Sequence, residues 1–176
     1  MDILNECGLL GCKPAAFPID QNHQLALANG PAFEDPTRYR RIVGRLVYLT
    51  ITRPELSYAV RTLSQFLQHP LQEHYDAALR VLRYIKGNPG QGLLLRSNCD
   101  LLLRAYCDSD WASCPITRRS ITGYFVTLGD SPISWKSKKQ HTISRSSAEA
   151  EYRSMAAATA EILWLKGFLK DIGVDH

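Results

Sequence analysis

Long apolar runs are missing from this chain. No stretch approaches the roughly twenty residues that a membrane-spanning helix needs. The N-terminal MDILNECGLLGCKPAAF has acidic residues early and only a short apolar run before Cys12, a poor signal peptide. Cysteine is sparse and irregularly placed: Cys7, Cys12, Cys99, Cys107 and Cys114 form an odd set with no repeated short spacing. That pattern argues against a disulfide scaffold and against a zinc site, and Cys107, inside a strand pattern, reads as a buried thiol. An intracellular, reducing setting is the expectation, with nucleus, cytoplasm and organelle all open and no membrane partner. Internal repeats and low-complexity tracts are absent as well.

Acid is scarce in the middle of the chain. Residues 37–96 carry ten basic and three acidic side chains, against one and five in residues 1–36 and ten and nine in residues 97–176. A basic segment of this kind faces nucleic-acid phosphate or simply makes a solvated helix face, and the two readings weigh equally. What is present in quantity is apolar surface: 45% of 176 residues, enough for one full domain or two small pieces.

Residues 1–36, with Pro14, Pro18, Gly30 and Pro31, read as an irregular lead-in. From Thr37 a helical stripe runs through Tyr39, Ile42, Val43, Leu46 and Leu49, with Asp35 or Thr37 as its cap. Pro54 opens a second helix, capped near Thr52 or Arg53, whose buried face is Leu56, Ala59, Val60, Leu63 and Phe66. Pro70 stops it. The third helix, LQEHYDAALRVLRYIK, offers Tyr75, Ala78, Leu79, Leu82 and Ile85, with Gly87 as C-cap. Residues 37–90 therefore predict a small helical segment. Asn88, Pro89 and Gly90 mark a change to strand patterns over residues 91–176. GLLLRS and LLLRAYC suggest a hairpin, SITGYFVTL continues the sheet, Gly129 and Asp130 turn, PISWKS follows, Lys136, Lys138 and Lys139 form a basic turn, and HTISR is a further edge. Ser146 or Ser147 caps a long final helix, and only Ser146 has an acid three residues on for a capping box. The fold class expected is α+β.

Two acidic pairs stand out. Asp108 and Asp110 are two apart on a strand, so they share a face. On the final helix Ala148, Met155, Ala158 and Ile162 form a stripe whose gap is filled by Glu151, a costly place for a carboxylate without a partner or a metal. Glu149 is explained by the helix start. Hard cations such as Mg²⁺ take oxygen ligands of this type.

The stretches RYRRIVGRLVYLTITRPELSYAV, EHYDAALRVLRYIKG, YCDSDWA, RRSITGY, ISWKSKKQ and SSAEAEYRSM together resemble the Pol polyprotein of copia-type LTR retrotransposons over nearly the whole chain. The resemblance implies the end of the reverse-transcriptase region at 1–36, a thumb or connection segment at 37–90, and part of a ribonuclease H-like mixed sheet with a long C-terminal helix at 91–176. It implies Asp108 and Glu151 as catalytic carboxylates and metal ligands, with Asp110 and Glu149 as weaker ligands and Mg²⁺ or Mn²⁺ as the cofactor. Arg118, Arg119, Ser120, Lys136, Lys138 and Lys139, with Thr122 beside them, become contacts to an RNA–DNA hybrid. Trp111, Trp135 and Trp164 are better explained by packing than by base stacking.

A complete member carries further acidic motifs after this helix and a polymerase palm before these helices. The chain ends at GVDH, and Asp171 and Asp175 are not expected to replace the missing ligands. The expectation is thus a Pol fragment without polymerase activity and with ribonuclease H activity largely lost. Two alternatives stay open: a half-site completed by a partner chain, or a host-retained interaction module. A missing strand would leave a sheet edge and the Trp164, Leu165, Phe168 and Leu169 stripe partly bare, so missing Pol segments or self-association are the expected partners.

Overall fold

The computed structural model describes residues 2–20 and 22–174. The chain divides into two compact units, Met1–Gly92 and Leu93–His176.

The first unit is helical: α1 (Asp2–Glu6), α2 (Pro36–Leu49), α3 (Ser57–Ser64) and α4 (Gln72–Gly87). Asp35 caps α2, its carboxylate accepting the Arg38 amide at 2.9 Å, and Pro36 occupies the first helical position, where no N–H is needed. Pro54 starts a short 3₁₀ turn, Pro54–Leu56, before α3 begins, and Arg53 precedes that turn. The three stripes meet in one core of Tyr39, Ile42, Val43, Leu46, Leu56, Ala59, Val60, Leu63, Tyr75, Ala78, Val81, Leu82 and Ile85, joined by Leu4 of α1. Leu49, Phe66 and Leu79 pack only at its margin. Gly87 is the last residue of α4, and Asn88 takes the cap position.

The irregular residues before α2 are tied down by polar contacts. Phe33 donates its amide to the Pro70 carbonyl and stacks on Tyr75, with ring centres 4.0 Å apart. The Leu71 amide donates to His74 Nδ1 at 2.9 Å, which leaves Nε2 as the donor to the Leu25 carbonyl at 2.9 Å. Arg53, 1% exposed, bonds Glu55 and the Asn88 carbonyl, so the α2–α3 turn is fastened to the end of α4.

The second unit is α+β. Strands β1 (Leu103–Asp110), β2 (Ile121–Leu128) and β3 (Ser131–Lys139) form an antiparallel sheet in the order β1-β2-β3, and α5 (Ser147–Asp171) lies on one face. The β2–β3 turn is Gly129–Asp130. Gly129 has φ +57°, and a Cβ there would strike the Asp100 carbonyl and the Cys99 side chain, so glycine is required. The α5 face of the sheet contributes Leu103, Ala105, Cys107, Tyr124, Val126 and Ile133, packed against Ala157, Ala158 and Leu165.

Three expectations are corrected. The sheet is antiparallel throughout the described residues rather than mixed. GLLLRS forms no strand: within it the Arg96 amide donates to Ser131 Oγ at 2.8 Å, and residues 98–102 beyond it wrap the β2–β3 turn, with Cys99 against Gly129 and the Gly129 amide donating to Leu102 O at 2.9 Å. HTISR forms no edge, because Ser144 is drawn inward, donating its hydroxyl to Gln140 Oε1 at 2.8 Å. Among the described residues no helix is long and apolar enough to cross a membrane. All five cysteines are free.

Candidate functional site

Strand alternation decides where the β1 acids go. Leu103, Ala105 and Cys107 turn toward α5, so Asp108 and Asp110 stand exposed on the opposite face. Asp108 Oδ1 accepts the Ser109 amide at 2.8 Å. Its cross-strand neighbour on β2 is Gly123, which leaves the space beside it open.

The helix supplies the second element. Its buried stripe is Ala150, Ser154, Ala158, Leu165 and Leu169, a run of fours in its first half. Ala148 is exposed, Met155 is 51% exposed and Ile162 is half-buried, so the stripe lies one residue round from the expected one. Glu151 therefore borders the stripe, half-buried, instead of filling a gap within it. Ser154, one turn further on, donates its hydroxyl to the Asp108 carbonyl at 2.7 Å, with the Gly123 carbonyl at 3.2 Å. This contact brings the backbone of Asp108 beside the turn of α5 that carries Glu151, while the Asp108 side chain keeps to the far face of its strand.

Glu149 is committed to the helix start. Ser146 Oγ accepts the Glu149 amide at 3.1 Å, and Glu149 accepts the Arg145 amide at 2.8 Å and the Arg153 guanidinium at 2.8 Å. The box thus closes on Arg145, one residue before the cap. The Arg145 amide first, then Arg153, hold the Glu149 carboxyl below its ordinary range. With Arg153 spent on Glu149, Glu151 is denied that cation. Among the described residues no three Asp, Glu, His or Cys side chains converge as a metal site. Asp171 ends α5, and Asp175 lies outside the described residues.

The basic residues separate into three places. Arg118 and Arg119 are exposed on the β1–β2 connection, where Arg118 has φ +52°. Ser120 is fully buried and its Oγ accepts the Ala112 amide at 3.0 Å, a structural task that leaves no open face for phosphate. Thr122 is buried too and accepts from Gln140. The lysines sit on β3 rather than in a turn. Lys136 and Lys138 share the α5 face, and Lys139 points the other way, its Nζ 3.1 Å from Cys114 Sγ. Burial pushes the Cys114 thiol up, but Thr117, Lys139 and the Ile116 amide outweigh it and bring it down to about 7. Trp111 donates its indole N–H to the Ser144 carbonyl, Trp135 is half-buried, and Trp164 is largely exposed and stacks on Phe168.

Two residues that organise this region were missed in the sequence. Ser154 had a visible signal, the spacing of four through Ala150, Ser154 and Ala158. Gln140 had none. Its buried amide donates to the Ala150 carbonyl and Thr122 and accepts from Ser144, latching the end of β3 to the start of α5.

No family model matches the chain, and no solved structure does. Among curated proteins it is 46% identical over 174 residues to the Retrovirus-related Pol polyprotein from transposon RE2 of Arabidopsis thaliana, covering 99% of this chain and 12% of that protein. The Pol polyprotein from transposon RE1 of the same plant is 45% identical over 174 residues, with the same coverage of 99% and 12%. An Uncharacterized mitochondrial protein of Arabidopsis thaliana, AtMg00810, is 47% identical over 164 residues, 92% of this chain and 67% of that one. The chain thus spans 12% of the length of the two polyproteins it matches. With identity this high along almost every residue, the chain belongs to the Retrovirus-related Pol polyproteins of copia-type transposons.

Proposed function

We propose that the unit Leu93–His176 derives from the ribonuclease H part of such a polyprotein, that Asp108 and Glu151 are its metal carboxylates, and that this chain alone cleaves RNA–DNA hybrid little or not at all. The observation that carries the reading is the Ser154 hydroxyl bond to the Asp108 carbonyl at 2.7 Å. It is a polar fastening of strand to helix beside two acids, at a level where apolar packing would have served stability alone.

The acids suit Mg²⁺ or Mn²⁺ in kind and fall short in number. Such ions want near-octahedral oxygen coordination, drawn from carboxylates, waters and substrate phosphates. Glu149 is engaged by Arg145 and Arg153. Asp108 and Asp110 stand on the face of β1 away from α5, so Asp108 and Glu151 would have to reach one ion around β1, an edge strand of the sheet, with Asp110 as an auxiliary. When bound, such an ion activates water and steadies the leaving oxygen in phosphodiester cleavage. The residues of this chain do the rest: Ser154 fixes the strand, and the Glu149 cap fixes the helix start. A site short of ligands loses tenfold in rate for each roughly 1.4 kcal/mol of transition-state stabilisation forgone.

A fluorescent RNA–DNA hybrid incubated with excess protein and Mg²⁺ or Mn²⁺ should remain intact. In the same protein Mn²⁺ should broaden NMR signals around Asp108 and Glu151 and leave those of the helical unit sharp. Cleavage by the chain alone that disappears in Asp108→Asn and Glu151→Gln would overturn the inactivity and keep the site. Cleavage or broadening indifferent to both substitutions would remove the site itself.

A further inference from the structure

Beyond the carboxylates, β3 and α5 enclose a groove on the side of the helix away from β1, with a cavity of about 490 Å³. Lys136 and Lys138 form one wall, standing across from Tyr124 and Thr122 in the sheet register. The small side chains Ala156, Ala157 and Ala160 make the opposite wall and leave the space open. His141 and Arg153 close one end. Glu161, which accepts the Ser134 hydroxyl at 2.7 Å, marks the other.

The charge balance favours an anion. Arg153 is shared with Glu149, but neither Lys136 nor Lys138 has an ion pair among the described residues. Both are exposed and solvated, so they are cations ready for a ligand rather than members of a bridge. Two residues apart on a strand, they lie about 6.7 Å from each other at the usual strand rise. That is the order of one nucleotide step along an extended strand. The alanine wall makes the groove apolar on one side, suited to a sugar or a base, while Glu161 is engaged by the Ser134 and Tyr124 hydroxyls.

We propose that this groove binds single-stranded nucleic acid, with successive phosphates on Lys136 and Lys138 and the intervening nucleoside over Tyr124 and the alanine wall. The size decides between strand and duplex. A space in the small-ligand range takes one or two nucleotides, whereas a duplex would rest only on its rim. The binding needs no metal and does not involve Asp108 or Glu151, so it stands whether or not the carboxylate reading does.

The test is fluorescence anisotropy of a labelled oligouridylate with the full chain in EDTA, across a salt series. Salt-sensitive binding is expected. Lys136→Glu with Lys138→Glu should weaken it more than tenfold and lower the logarithmic salt slope by about 1.4, some 0.7 for each phosphate contact on a single strand. Ala160→Trp, on the exposed wall, should block the groove at unchanged charge and cost a similar factor. Lys166→Glu with Lys170→Glu, the same charge change outside the groove, should cost less than threefold. Equal losses from the two lysine pairs, wild-type affinity in Ala160→Trp, or tighter binding of a hybrid duplex than of the strand would each overturn the proposal.

Discussion

The helical unit and the sheet unit are close in length, yet among the described residues the buried hydrophobic cluster of the first has fourteen side chains and that of the second four. The helical unit achieves this by facing three amphipathic stripes inward, with α1 and the Phe33 segment covering the ends. The sheet unit has one helix for three strands. One face of the sheet has no helix among the described residues of that unit, and Tyr106 there is 62% exposed. Its definition comes instead from polar fastenings: Ser154 to β1 and β2, Gln140 to α5, Ser120 to the β1–β2 connection. Apolar packing tolerates small displacements, while a buried hydrogen bond with a fixed partner does not. The candidate carboxylates Asp108 and Glu151 belong to the unit defined by the second kind of contact.

The strongest test of that contrast uses one leucine from each unit. Leu82 is fully buried in the α4 core, and Leu82→Ala should cost about 2–5 kcal/mol, toward the upper end because the neighbours cannot collapse into the space. Leu165 in α5 meets a smaller core, and Leu165→Ala should fall at the lower end of the same range. Urea midpoints, with amide exchange to locate the loss, would measure both. Equal costs would break the comparison.

The next effect should reverse the order. Ser154→Ala removes one hydroxyl and leaves the Asp108 and Gly123 carbonyls short of a donor, at a cost of about 1–3 kcal/mol. Amide protection should fall in β1, β2 and the first half of α5, and stay unchanged in α2–α4. The buried core hydroxyl of Tyr39, bonded to the Leu63 carbonyl at 2.8 Å, gives the matched control: Tyr39→Phe should cost less than Ser154→Ala, because its ring continues to fill the core.

How much of this was legible in the sequence follows the same division. The α2 stripe Tyr39, Ile42, Val43 and Leu46 is buried as its spacing required, and Asp35 caps as its side chain allows. Helical periodicity is local, so a single stretch carries it. The Ser146 cap was readable for the same reason. The strands were less so. LLLRAYC pointed to β1, and the Asp108–Asp110 spacing to its continuation, but GLLLRS looked as strand-like as β1. Whether an apolar run pairs depends on a partner elsewhere in the chain, and here the Arg96 amide of GLLLRS is taken by the Ser131 hydroxyl oxygen rather than by a neighbouring strand. The α5 stripe shows a subtler limit. Its alanines are numerous enough that several phases fit, and the phase is chosen by Ser154 reaching β1, a contact no helix-wheel reasoning contains. That one-residue rotation moved Glu151 from the middle of the stripe to its border. Family resemblance named Asp108 and Glu151, and their separate exposures came only from the fold.

The smallest effect concerns the start of α5. Ser146→Ala removes the oxygen that accepts the Glu149 amide and should cost about 1 kcal/mol. Glu149 adds a pH signature to the same turn. Its carboxyl is held down by the Arg145 amide and by Arg153, so its folded pKa lies below the unfolded one. The stabilisation is then complete above the ordinary carboxylate range and is lost as pH falls through the lowered value. Amide exchange at Arg145 and Glu149 should accelerate, beyond its intrinsic pH dependence, over that acid window. Glu149→Gln should remove this added dependence while leaving α4 untouched, since the acid in its first turn, Glu73, is bound instead to the Gly30 amide. A helix start in α5 that stays equally protected through the window would mean that Ala150 and Ser154 hold the turn by packing and hydrogen bonding to the sheet.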